Sequence, residues 1–200
     1  MPAWMIRDHA LATSGLLAGK LGGVSVKTYQ PKGIWAEASF GKKKYQQDQG
    51  EALYRRSLYI YWRRIVGPTV FFDMSKRQTC SVKSSQTNTP LHALVTLNDV
   101  TYVEAARMMA TQLLQANVSD EQRITTAFRI ATSRTPSTKE QTLLIKRLVN
   151  LRQHFSKNSD AAEKLLQVGE MRSADLPESD LAAYTTVCLL IMNLDEALNK

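Results

Sequence analysis

Cysteine is scarce in this 200-residue chain, with only Cys80 and Cys188, far apart. Neither belongs to a C-x-x-C or C-x-x-C-H pattern, so zinc ribbons, thioredoxin-type redox chemistry and covalent haem attachment have no support. Cys188 sits in Val187-Cys188-Leu189-Leu190, where the thiol behaves as a small hydrophobe, and Cys80 follows a polar stretch. Both are expected to stay unpaired. Histidine is equally sparse: His9, His92 and His154 have no metal-ligand spacing, and no metal site is expected. Long apolar runs are missing too. The longest, Val187 to Met192, is six residues, far short of the length that spans a bilayer. Arg7, Asp8 and His9 interrupt the N-terminus, so no signal peptide is expected within this chain. No Ser/His/Asp order, catalytic carboxylate pair or phosphate loop is legible, and Gly15-Leu16-Leu17-Ala18-Gly19-Lys20 lacks the Walker spacing.

What is present is a globular composition, 44% hydrophobic and 22% charged, of a length that suits a single domain over residues 1–200. The net charge of +8 is lopsided: residues 1–100 carry 14 Lys/Arg against 6 Asp/Glu, and residues 101–200 carry 12 of each. Most of the aromatic residues share the basic half. Basic and aromatic residues together invite a polyanion reading, yet no nucleic-acid motif accompanies them. Lys42-Lys43-Lys44 is read as a solvated loop, and nucleic acid is not expected as a partner.

The pattern divides near residue 87. Residues 1–86 read as a loop-rich, basic and aromatic part, and residues 87–200 as a helical part, together a mainly α bundle with a loop-rich N-terminal third. A first helix is expected over 4–18, from Trp4, Ile6, Ala10, Leu11 and Leu17. Residues 20–50 form an irregular arm, which Trp35, Phe40 and Tyr45 are expected to pin to the core. Tyr54, Leu58, Tyr61 and Ile65 fall on one helical face, and 53–65 is assigned as helix. Thr89 before Pro90 is an N-cap followed by proline at the first helical position. Asn98-Asp99 stops that short helix and caps the next. Ser119 with Gln122 and Ser137 with Glu140 open two more helices as capping boxes. A short helix is expected over Ala161 to Val168, and the last begins near Glu178.

Candidate functional residues are those whose chemistry could bind or transform a ligand. Arg55, Arg56 and Asp73 could clamp or stabilise charge, and Thr87, Asn88 and Asp99 could offer polar contacts. A capping corner explains the residues from Thr87 to Pro90 more cheaply, and a loop cap or salt bridge explains Asp73.

Several short stretches then occur in the order of one known domain. They include Ile6-Arg7-Asp8, Gly22-Gly23, Tyr54-Arg55-Arg56-Ser57-Leu58-Tyr59, Thr87-Asn88-Thr89-Pro90-Leu91, Leu97-Asn98-Asp99 and Glu104-Ala105-Ala106-Arg107. The chain resembles the planctomycete domain-of-unknown-function family fifteen-fifty-three, also called PSD-one. Arg134-Thr135-Pro136 and Asn193-Leu194-Asp195-Glu196 resemble its C-terminal marks. The chain departs from the family pattern in having His92 where glutamine is usual. The resemblance implies the C-terminal fragment of an exported, extracytoplasmic protein (periplasmic or cell-surface), with haem on a separate cytochrome-c-like module and no cofactor in this chain. It implies an accessory or interaction domain whose partners are other domains of the parent protein. Two alternatives stay open: a carbohydrate-active or other hydrolytic enzyme with a basic-aromatic cleft for an acidic polysaccharide, and a polyanion-binding or nucleic-acid-binding module.

Overall fold

The structure, a computed structural model, describes residues 1–42, 44–63, 66–72, 82 and 89–199. Among these residues the chain is mainly α. Nine α-helices follow one another: α1 (Ala3–Thr13), α2 (Ile34–Ala38), α3 (Pro90–Asn98), α4 (Val100–Gln115), α5 (Asp120–Thr132), α6 (Thr138–Lys157), α7 (Ser159–Leu166), α8 (Glu178–Met192) and α9 (Asp195–Leu198).

The bundle is built around α8 and α4. Leu181, Ala182, Ala183, Tyr184, Val187, Cys188, Leu189, Ile191 and Met192 are all buried, so α8 is apolar round its whole circumference. A helix of that kind belongs at the centre. α4 lies beside it, with Ala105, Ala106 and Ala110 buried, and α5, α6 and α7 close round the pair. One continuous hydrophobic core joins Ile6, Leu11, Leu53 and Tyr54 from the first part to Met109, Phe128, Leu148 and Ile191 from the second. Burial pushes the Cys188 thiol up to about 12, as expected of a core cysteine; Cys80 lies outside the described residues.

The helix starts are where the side chains placed them. Ser119 pairs with Gln122 and Ser137 with Glu140 in reciprocal capping boxes, and Asp99 accepts from the Thr101 N–H at 2.9 Å to open α4. Thr89 caps α3 ahead of Pro90, and its own N–H donates to His92 Nδ1 at 3.4 Å. The imidazole thus stands at the box position where glutamate or glutamine usually accepts that N–H.

The first part departs from expectation in three places. Helix α1 ends at Thr13 rather than continuing to 18, because Gly15 takes φ 72° and lets the Leu16 N–H turn back to the Leu11 carbonyl at 2.9 Å. Residues 53–65 were expected to be helix. The described part of that segment is instead two 3₁₀ turns, Gly50–Tyr54 and Ser57–Tyr59, running into extended backbone. The cause is tertiary: the Arg7 guanidinium takes the Leu53 and Arg55 carbonyls at 2.8 and 2.9 Å, and Val26 pairs with the backbone of Tyr59 and Tyr61. Carbonyls held in this way are not available to an α-helical ladder. In the 20–50 arm Trp35 is buried and stacks on Tyr45 at 5.2 Å, as an anchoring aromatic would, but Phe40 is 94% exposed and anchors nothing.

One ion-pair cluster ties α5, α6 and α8 together. Arg152 bridges Asp120 and Asp180, and the Tyr184 hydroxyl donates to Asp120 at 2.7 Å. Arg152's hydrogen bonds pull the Asp120 carboxyl down to about 2 from its ordinary 3.8, with Tyr184 assisting. A carboxylate lowered in the folded state stabilises the fold above its ordinary value and loses that contribution as pH falls toward the lowered one. The melting temperature is therefore expected to drop between about pH 4 and pH 2 more steeply in the native protein than in Asp120→Asn. Parallel curves for the two proteins in that window would show that the cluster contributes nothing.

Candidate functional site

A concave surface lies between α1 and the segment 56–62, and the same buried arginine supports both of its walls. Arg7 is fully buried beneath α1. It spans the Leu53 and Arg55 carbonyls and reaches Ser57 Oγ at 3.2 Å. Beside it, Asp8 Oδ1 accepts from the Ser57 N–H at 2.8 Å and from its hydroxyl at 2.7 Å. Two consecutive residues of one helix thus hold the segment 53–57 in its course from one 3₁₀ turn to the next. Burial lowers the Arg7 pKa, and Asp8 acts in the opposite sense by favouring the cation.

Above this polar floor the cavity opens with a volume of about 680 Å³. Its walls are Met1, Trp4, Met5, Ala12 and Leu17 on one side and Leu58, Ile60, Trp62 and Phe71 on the other. Trp4, Met5 and Leu58 are exposed, whereas Ile60 and Phe71 are buried at the back. Four polar residues also line it: Asp8, His9, Arg56 and Ser57. Asp8 and Ser57 bind each other, and His9 Nε2 lies 3.1 Å from the Ala131 carbonyl. Arg56 is exposed, and its side chain has no charged or hydrogen-bonded partner among the described residues. Volume and lining both fall in the range of small-ligand sites, which are mostly apolar with a few placed polar groups.

The sequence-based candidates do not converge on one point. Arg55 is buried and donates to the Val24 carbonyl at 2.9 Å and to those of Lys20 and Gly22, with its guanidinium 3.9 Å above the Tyr59 ring. It clamps the 20–24 loop. Arg56, next in sequence, faces the other way and lines the cavity. Asp99 sits at the α3–α4 corner as the α4 cap; burial raises its pKa, and the hydrogen bonds from Thr101 and the charge of Arg7 oppose that rise. Asp73, Thr87 and Asn88 lie outside the described residues. The residues that sequence reasoning missed are Trp4, Met5, Leu58, Trp62 and Phe71. A signal existed: Trp4 and Met5 precede core-facing Ile6 on α1, so this short helix is apolar on two faces and only one can face the core.

A second buried charge centre lies on α4. Glu104 Oε1 accepts from the Tyr54 hydroxyl at 3.0 Å and from the Glu170 and Met171 N–H groups at 2.7 and 2.6 Å. Arg107, equally buried, donates to the Leu166, Val168 and Met171 carbonyls. Together they latch the α7–α8 connection onto the core. Burial, then the Glu104 charge, pushes the Tyr54 hydroxyl up to about 12. Among the described residues no group of three His, Cys, Asp or Glu side chains could hold a metal ion, and no helix is long and apolar enough to cross a membrane.

The Ile6-Arg7-Asp8, Tyr54-to-Tyr59 and Glu104-to-Arg107 stretches thus supply buried groups that tie loops and turns to the helices. They fall inside the match to a family model, PSD1, Protein of unknown function (DUF1553), which covers residues 1–148 and ends within α6. No curated protein and no solved structure matches the chain. The chain belongs to the PSD1 (DUF1553) family.

Proposed function

We propose that this domain is an accessory interaction module, a binding rather than a reacting part of an exported, cytochrome-c-associated surface protein. The observation that carries the reading is the contrast between the polar interior and the cavity. Arg7, Arg55, Glu104 and Arg107 hold backbone groups in place, while the large concave surface is walled by tryptophan, methionine and aliphatic side chains. Such a surface excludes water and binds by apolar burial. The exported and haem-associated setting is supported by the family resemblance alone, which implies haem on another module of the parent protein.

A neutral apolar fluorophore such as Nile red tests the binding reading on the folded chain. One molecule is expected to bind per chain, and Leu58→Glu is expected to weaken it about tenfold, equivalent to roughly 1.4 kcal/mol. Leu58 is 84% exposed, so this variant should melt with the native protein. No saturable binding to the native protein, or equal binding to the variant, would contradict the reading.

A further inference from the structure

We propose that the α1 cavity takes a small amphiphilic anion: an apolar chain or ring system seated between Trp4 and Trp62, with a carboxylate or comparable acid group held at the mouth by Arg56. The proposal rests on the binding-module reading and adds the chemistry of the occupant.

The polar groups at the cavity decide its sign. Among the described residues Asp8 is the one lining carboxylate, and its Oδ1 already accepts two hydrogen bonds from Ser57 and faces Arg7 at 3.4 Å. It has its counter-charge within the protein and offers little to a bound cation. Ser57 has its hydroxyl engaged with Asp8. His9 is turned to the Ala131 carbonyl, and the Met1 nitrogen donates to the Leu198 carbonyl at 2.7 Å. Arg56 is different. Its neighbours in sequence, Arg55 and Ser57, are buried and committed, which fixes the backbone beneath it, while its own side chain is exposed at the rim with its guanidinium unspent. An apolar pocket with, among the described residues, one uncommitted cation at its edge complements a molecule with an apolar body and one negative end. A planar guanidinium suits a carboxylate, which it can meet with two parallel N–H donors. The pair forms at a solvated rim, so it sets preference among ligands more than overall affinity.

Laurate, dodecanol and dodecylammonium share one tail and differ at the head. Each is titrated below its aggregation threshold while displacement of bound Nile red is followed. Laurate is expected to bind about fivefold more tightly than dodecanol at low salt, and dodecylammonium more weakly than either. The laurate preference should shrink at high ionic strength, since a rim pair is screened. Arg56→Gln is expected to abolish the preference for laurate over dodecanol, whereas Arg56→Lys keeps part of it. Equal binding of laurate and dodecanol to the native protein would overturn the proposal, as would a laurate preference surviving in Arg56→Gln or a preference for the ammonium. Each of those outcomes would leave the apolar binding module standing. Failure of Nile red itself would remove the module reading first.

Discussion

Glu104→Ala is expected to destabilise the domain by about 3–5 kcal/mol, the range for removing one partner of a buried charge pair. The loss leaves the Tyr54 hydroxyl and the Glu170 and Met171 N–H groups without their acceptor, and Arg107 without its neighbouring anion at 3.8 Å. Small domains are stable by roughly 5–15 kcal/mol in total, so this is a large share. Glu104→Gln keeps an acceptor oxygen in place and should cost less. Gly169→Ala attacks the same latch from the other side. Gly169 has φ 85°, and an added Cβ would lie 2.5 Å from the Glu104 carboxyl. That variant combines backbone strain with a clash and should also be strongly destabilised. Urea unfolding of the three variants ranks them; a Glu104→Ala midpoint within error of the native one would show the latch to be ornamental.

Arg7→Met is expected to do comparable damage for a different reason. It deletes the donors to the Leu53 and Arg55 carbonyls and to Ser57, and strips Asp8 of its counter-charge. Orphaned buried acceptors cost about 1–3 kcal/mol each, and more where charge is involved. The second consequence is local. With the fork gone, Asp8 is left to hold residues 53–57 from α1, and one wall of the cavity loses its support. Arg7→Met should therefore lose Nile red binding under conditions where it is still folded. Arg7→Lys should fall between, because an ammonium cannot span two carbonyls as a planar guanidinium does. Native-like binding in folded Arg7→Met would separate the arginine from the cavity.

The second half of the chain was legible because its signals are local. A Ser or Thr three residues before Gln, Glu or His sets a helix start through hydrogen bonds that need no distant partner, as at Ser119, Ser137 and Thr89. The apolar circumference of α8 likewise announces its central place, and Cys188 within it. The first half was not legible because its structure is imposed from afar. Tyr54, Leu58 and Tyr61 carry a helical period, yet Arg7, nearly fifty residues earlier, holds the carbonyls that a helix would need. Phe40 looked like an anchor by type, but only Trp35 and Tyr45 found partners.

The same asymmetry governs the site. Arg56 was visible as a candidate because it is charged, and Arg55 beside it looked equivalent. Only the fold separates a guanidinium spent on loop carbonyls from one left at a cavity mouth. In sequence Trp4 groups with Ile6, Ala10 and Leu11 on one apolar face of the first helix, and Met5 is not singled out. Their place on the outer face of α1 depends on which side Ile6, Arg7 and Ala10 bury.

The account turns on ligand binding between α1 and residues 56–62, and the three tryptophans report on it. Trp4 and Trp62 line the cavity, while Trp35 is buried elsewhere against Tyr45 and Tyr61. Titrating the ¹⁵N-labelled protein with Nile red and following the three indole N–H resonances reads all of them at once. The account predicts that the Trp4 and Trp62 signals move together and saturate at one equivalent while the Trp35 signal stays in place. Movement of Trp35 with Trp4 and Trp62 unchanged would contradict it.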